Sequence, residues 1–120
     1  RLMLENVYEM SPDELREIFE QLDTRHAGCC LDVGHLSVFS HVPAGTWIET
    51  LSPYIGQIHL HDNYRQSDLH VGLGKGAIDF SPVFEWLRST PRHPVITLEP
   101  HREADLLASI AFLENRKWFQ

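Results

Sequence analysis

The stretch Gln57-Ile58-His59-Leu60-His61-Asp62-Asn63 alternates polar and aliphatic residues, then breaks into a long polar segment. A period of two predicts a strand, Ile55 to His61, with Ile58 and Leu60 on one face and Gln57, His59 and His61 on the other. The same design recurs on both sides. Leu2 to Val7 reads as a strand that ends its polar face in Glu5, Gly28 to Val33 as one that ends in Asp32, and Val95 to Glu99 as one that ends in Glu99 beside Thr97. Glu5 to Asp32 is 27 residues and Asp32 to His59 is 27, one β/α step each time, and His59 to Glu99 is 40, the same step plus a long loop.

Helical patterns separate these strands. Ser11-Pro12-Asp13-Glu14 opens one, with Ser11 as N-cap, Pro12 at the first helical position and Glu14 completing a capping box. Leu15, Ile18, Phe19 and Leu22 then form a single apolar stripe. Thr46 to Leu51 is a short helix, Ser81 to about Arg88 another, and Glu103 to Leu113 the last, with Leu106, Leu107, Ile110 and Leu113 as its apolar face. His35 to Ala44 and Asp62 to Gly76 read as loops. The order βαβαβαβα is an α/β pattern that implies parallel strands joined by right-handed crossovers. Four such units are half of an eight-fold β/α barrel or a small doubly wound sheet.

The chain has 120 residues, enough for one domain with a core, and this single domain is expected to span 1–120. Ten Lys and Arg against 17 Asp and Glu give a net charge of −7, which argues against a phosphate-backbone partner. No apolar run approaches the roughly 18 residues that a membrane helix needs. No basic-then-apolar leader opens the chain, so no secretory signal is expected. Arg1 enters an apolar run at once, so a preceding segment is expected. Adjacent Cys29 and Cys30 are read as small buried residues in a reducing cytoplasm.

Parallel α/β proteins build sites at the carboxyl ends of their strands. Glu5, Asp32, His59 and Glu99 fall there, each on the polar face. Their mixed oxygen and nitrogen donors suit Mn²⁺, Mg²⁺, Co²⁺ or Zn²⁺ without choosing among them. His35, three residues past Asp32, is near enough to join them. Asp68-Leu69-His70 has a spacing that can hold a second metal, and Arg65 can clamp a hydroxyl or phosphate. Gly72-Leu73-Gly74-Lys75-Gly76 does not lead a strand into a helix, so it reads as a turn rather than a phosphate loop.

Taken in order, Leu4-Glu5-Asn6, Leu31-Asp32-Val33-Gly34-His35, Ile58-His59-Leu60-His61-Asp62-Asn63, Asp68-Leu69-His70 with Gly74-Lys75-Gly76, and Thr97-Leu98-Glu99-Pro100 resemble the C-terminal half of the xylose-isomerase-like TIM barrels. That superfamily holds sugar and sugar-phosphate isomerases and epimerases, and apurinic-site endonucleases. The resemblance implies β/α units five to eight of a (β/α)8 barrel, with Glu5, Asp32, His59 and Glu99 as metal ligands. In the epimerase branch it makes Glu5 and Glu99 the catalytic acid/base pair, moving a proton through a metal-bound enediolate. His35, Arg65 and His61 are then substrate-binding residues. In the endonuclease branch His35, Asp68 and His70 hold a further zinc. The expected activity is that of a metal-dependent sugar or sugar-phosphate isomerase or epimerase, with a small sugar as partner and no nucleic acid or membrane. The alternatives are a zinc phosphodiesterase like the endonucleases and a non-catalytic half-barrel. The resemblance also implies four further units, supplied by a missing N-terminal half or by a homo-oligomer. Alone, such a half-barrel is expected to bury Leu2, Leu4, Leu31, Ile58, Leu60, Ile96 and Leu98 under its helices, and to leave Met3, Cys30, Gln57 and Val95 partly wet.

Overall fold

A computed structural model of the chain describes residues 1–117. Four strands, β1 (Leu2–Glu5), β2 (Ala27–Asp32), β3 (Ile55–Leu60) and β4 (Val95–Leu98), alternate with α1 (Asp13–Gln21), α2 (Val33–Phe39), α3 (Ala44–Leu51), α4 (Ser81–Ser89) and α5 (Glu103–Asn115). All strand pairs are parallel, in the order β1-β2-β3-β4. The sheet is therefore half of a (β/α)8 barrel.

Parallel pairing needs crossover helices, and these cover one face. Leu31, Ile58 and Leu60 are fully buried there against Phe19, Trp47, Leu51, Val83 and Phe84. Burying each such side chain is worth about 1.5–3 kcal/mol. The register slips between Cys29 and Cys30, which pair with Ile55 and Gln57. The slip lets β3 pass Gly56 and brings Asp32 beside His59, which lies in turn beside Thr97.

The structure corrects the sequence reading at several points. His35 to Ala44 is not a loop: α2 runs from Val33 to Phe39, because the Asp32 side chain accepts the His35 backbone N–H at 2.8 Å and caps the helix. The Ser11–Glu14 capping box does not form. Ser11 Oγ turns to Asp13 instead, and α1 starts after Pro12 with no side-chain cap.

Of the predicted apolar face of α5, Leu113 alone is buried. Leu106, Leu107 and Ile110 are exposed, whereas Asp105, Ser109 and Leu113 are buried. The inward face of α5 is taken by the loop that follows β3. Ser109 Oγ accepts the Leu73 N–H at 3.0 Å, and Lys75 donates to Asp105. Gly72 makes this contact possible, since a Cβ there would lie 2.8 Å from the Asp105 carbonyl oxygen. Leu2 and Ile96 are exposed rather than covered because β1 and β4 are the sheet edges, and Val95 is exposed beside Ile96. Cys30 is buried rather than wet. Among the described residues, no helix is long and apolar enough to cross a membrane.

Candidate metal centre

Glu5, Asp32 and His59 lie at or near the ends of β1, β2 and β3, and Glu99 directly follows β4. Glu5, Asp32, His59 and Glu99 converge there, with His59 at the middle. His59 Nδ1 lies 3.0 Å from Glu99 Oε1, 3.6 Å from Glu5 Oε1 and 3.8 Å from Asp32 Oδ2. It is buried and has no hydrogen-bond partner. The Gln57 amide sits 2.9 Å from Nε2. The same amide nitrogen donates to Thr97 Oγ1 at 3.2 Å, which ties the side chain between β3 and β4. Three carboxylates around an imidazole nitrogen with no hydrogen-bond partner are a donor set that could hold a divalent cation. Burial pushes the Glu5 carboxyl up, and Asp32 and Glu99 push it further; His59 and His35 oppose them, and the net is a raised pKa. Asp32 is pushed up by its burial, but the His61 hydrogen bond and charge and the His35 N–H outweigh this and hold it below the usual range.

Asn6 ties the first two strands together at this level. Its side-chain amide donates to the Asp32 carbonyl at 3.0 Å and its oxygen accepts the Asp32 N–H at 2.8 Å. Its own carbonyl takes the His35 Nδ1–H at 2.8 Å. Sequence reasoning placed Asn6 in a motif without a role; the signal for one was a polar residue directly after a strand-end ligand.

A second cluster lies beside the first. His35, His61, Asp68 and His70 bring one donor atom each within 4.8 Å of one another. His35 Nε2 is 3.2 Å and His70 Nε2 3.0 Å from Asp68 Oδ2. In both rings Nδ1 is spent on a backbone carbonyl, Asn6 for His35 and Glu99 for His70 at 2.8 Å, so the Nε2 lone pairs face the carboxylate. His61 is fully buried, with Nε2 on Asp32 at 3.0 Å, and its ring stacks on His70 at 3.6 Å. Nδ1 of His61 and Oδ1 of Asp68 are both buried without a hydrogen-bond partner, 3.7 Å apart. Because the two stacked planes differ by only 6°, their in-plane lone pairs cannot meet at one point. His35, Asp68 and His70 are therefore the better ligand set, and His61 orients Asp32.

Arg65 stands apart. It is exposed and lines a cavity of about 200 Å³ with Ser37, Pro43 and Asp79. Among the described residues, no ion pair joins it to either cluster. The sequence reading gave Cys30 no role in the site. Its pairing with Glu5 across β1 and β2 sets it in the floor of the first cluster, within 4.8 Å of donor atoms on Glu5 and His59. Burial there pushes its thiol pKa far up, so it stays protonated in the free site.

Comparisons with known proteins agree with the fold. The sequence profile of the xylose isomerase-like TIM barrels matches residues 1–116. The uncharacterized protein MJ1311 of Methanocaldococcus jannaschii is 31% identical over 109 residues, covering 88% of this chain and 36% of its own length. Among solved structures, a D-tagatose 3-epimerase-like protein superposes with a TM-score of 0.83 at 27% identity, over 96% of this chain and 46% of that one. The TTHB071 protein from Thermus thermophilus, in a structure obtained by soaking with ZnCl₂, gives 0.74 at 35% identity, over 96% and 43%. The chain thus spans between a third and a half of the length of the proteins it matches. It belongs to the xylose isomerase-like TIM barrel family.

Proposed function

We propose that this chain carries the metal-binding part of the active site of a sugar or sugar-phosphate isomerase or epimerase. The observation that carries the reading is the unpartnered His59 Nδ1 enclosed by carboxylate oxygens of Glu5, Asp32 and Glu99. The D-tagatose 3-epimerase-like neighbour supports the substrate class. Glu5, Asp32, His59 and Glu99 would hold the divalent ion, which would act as a Lewis acid on a sugar carbonyl and its hydroxyl. Glu5 and Glu99 come from opposite edges of the sheet and flank the site. One removes the proton from the carbon next to the carbonyl, and the other returns it. In the metal-free site the Glu5 carboxyl pKa is raised, chiefly by burial, which favours its holding a proton.

The remaining β/α units are proposed to come from another segment or from a second copy. The exposed Leu2, Val95 and Ile96 at the sheet edges and Leu106, Leu107 and Ile110 on α5 are what such a partner would cover. Free, buried Cys29 and Cys30 fit a reducing cytoplasm.

The experiment is solvent-deuterium uptake into the α-carbon of ketose substrates by the assembled enzyme. Glu99→Gln is expected to lower exchange at least about 100-fold, with bound metal measured in parallel. Exchange at the wild-type rate would remove Glu99 from the site. A second reading, a zinc phosphodiesterase, is favoured by the His35, Asp68 and His70 cluster. Cleavage of an abasic oligonucleotide without any carbon exchange would select it.

A further inference from the structure

Asp62 is fully buried and belongs to neither group of candidate ligands, yet it holds the segment that supplies half of the second one. Its Oδ1 accepts the N–H of Asn63 at 2.9 Å and of Ile78 at 3.2 Å, and its Oδ2 accepts the N–H of Gly74 and of Gly76 at 3.0 Å each. Its own N–H and carbonyl pair with Val71 in an antiparallel bridge, both at 2.9 Å. That bridge closes the excursion carrying Asp68 and His70. The carboxylate gathers the return segment, whose tightness needs glycine: a Cβ on Gly76 would lie 2.3 Å from Asp62 Oδ1 and from the Asn63 carbonyl oxygen. Gly74 has φ +82°, a conformation that glycine adopts without strain.

A carboxylate has acceptor sites for four N–H groups and no donor of its own. An amide in the same place must turn an NH₂ toward two backbone donors, whichever way it is flipped. This asymmetry gives the site a chemical reason to be Asp rather than Asn.

We propose that Asp62 is the positioning residue of the second cation site: by binding four backbone N–H groups of residues 63–78 it fixes the loop that sets Asp68 and His70 opposite His35. The inference rests on the reading of His35, Asp68 and His70 as metal ligands.

The test is Zn²⁺ stoichiometry and affinity of the full chain, with amide hydrogen exchange, for the wild type, Asp62→Asn and Gly76→Ala. The wild type should take two equivalents. Asp62→Asn should keep one and bind the second about 10–100-fold more weakly, as loss of an outer-shell partner does. The amides of Gly74, Gly76 and Ile78 should exchange at least about tenfold faster. General destabilisation would weaken both equivalents alike, so selective loss is the signature of positioning. If Asp62→Asn does not fold, Gly76→Ala, which displaces the same carboxylate, should reproduce the selective loss. Two equivalents of wild-type affinity in either folded variant, or unchanged amide protection, would overturn the proposal. A wild type that binds one equivalent refutes the second-site reading, and with it the metal role of Asp62; faster amide exchange in Asp62→Asn would still show the loop anchor.

Discussion

Gly34→Ala is expected to be the most damaging single-methyl change in the chain. A Cβ at Gly34 would lie 1.9 Å from His61 Cε1 and 2.4 Å from both ring nitrogens. The imidazole has nowhere to go. It is fully buried, bonded to Asp32 through Nε2, and stacked on His70. Overpacking a filled interior costs about 1–3 kcal/mol and sometimes more. Here the displaced group also holds a buried carboxylate, so a loss of about 3 kcal/mol or more is expected. Denaturant unfolding checks it: the midpoint should fall while the slope is kept. Metal affinity should fall with it, since Asp32 loses its orienting partner.

Asp32→Ala should have an effect of similar size by a different route. One carboxylate caps α2 through the His35 N–H, receives the His61 Nε2–H and faces His59 Nδ1. Loss of a cap costs about 0.5–2 kcal/mol, and loss of a hydrogen bond to a charged group about 1.5–3 kcal/mol. Together these give a destabilisation of about 2–5 kcal/mol, read by thermal or denaturant unfolding in metal-free buffer. In the same variant Mn²⁺ or Zn²⁺ binding at the first cluster should drop at least about 100-fold by calorimetry. A variant of wild-type stability and affinity would show that Asp32 neither caps nor ligates.

The four converging side chains were legible because strand periodicity is strict. His59 cannot share a face with Gln57 without facing away from Ile58 and Leu60, and one such residue closes each strand. What surrounds them was less legible. Asp32 was read as a ligand alone, yet the same carboxylate is an N-cap, and that hidden start signal is why α2 was missed among Gly34, Ser37 and Val38, all weak helix formers. The face of α5 was misread because polar Asp105 and Ser109 are buried by bonds to Lys75 and Leu73, partners from a loop 30 or more residues away. Sequence periodicity sees apolar burial, not polar burial satisfied at long range. Asp62 escaped for the same reason: its four donors come from residues 63 to 78 and become neighbours only once the loop is folded.

The roles of His61 and Arg65 depend on packing that no spacing encodes. His61 and His59 share a strand face, yet His61 lies behind Asp32, in the space that Gly34 leaves open. Arg65 follows His59 by six residues, yet its backbone adopts φ +65° and its side chain lines the cavity beside Asp79.

The most direct measurement is anomalous diffraction from crystals of the protein soaked in Mn²⁺. A divalent ion held by Glu5, Asp32, His59 and Glu99 predicts an anomalous peak enclosed by those four side chains, lost in His59→Ala. A soaked crystal with no peak there, or with its peak held by other residues, would contradict the account.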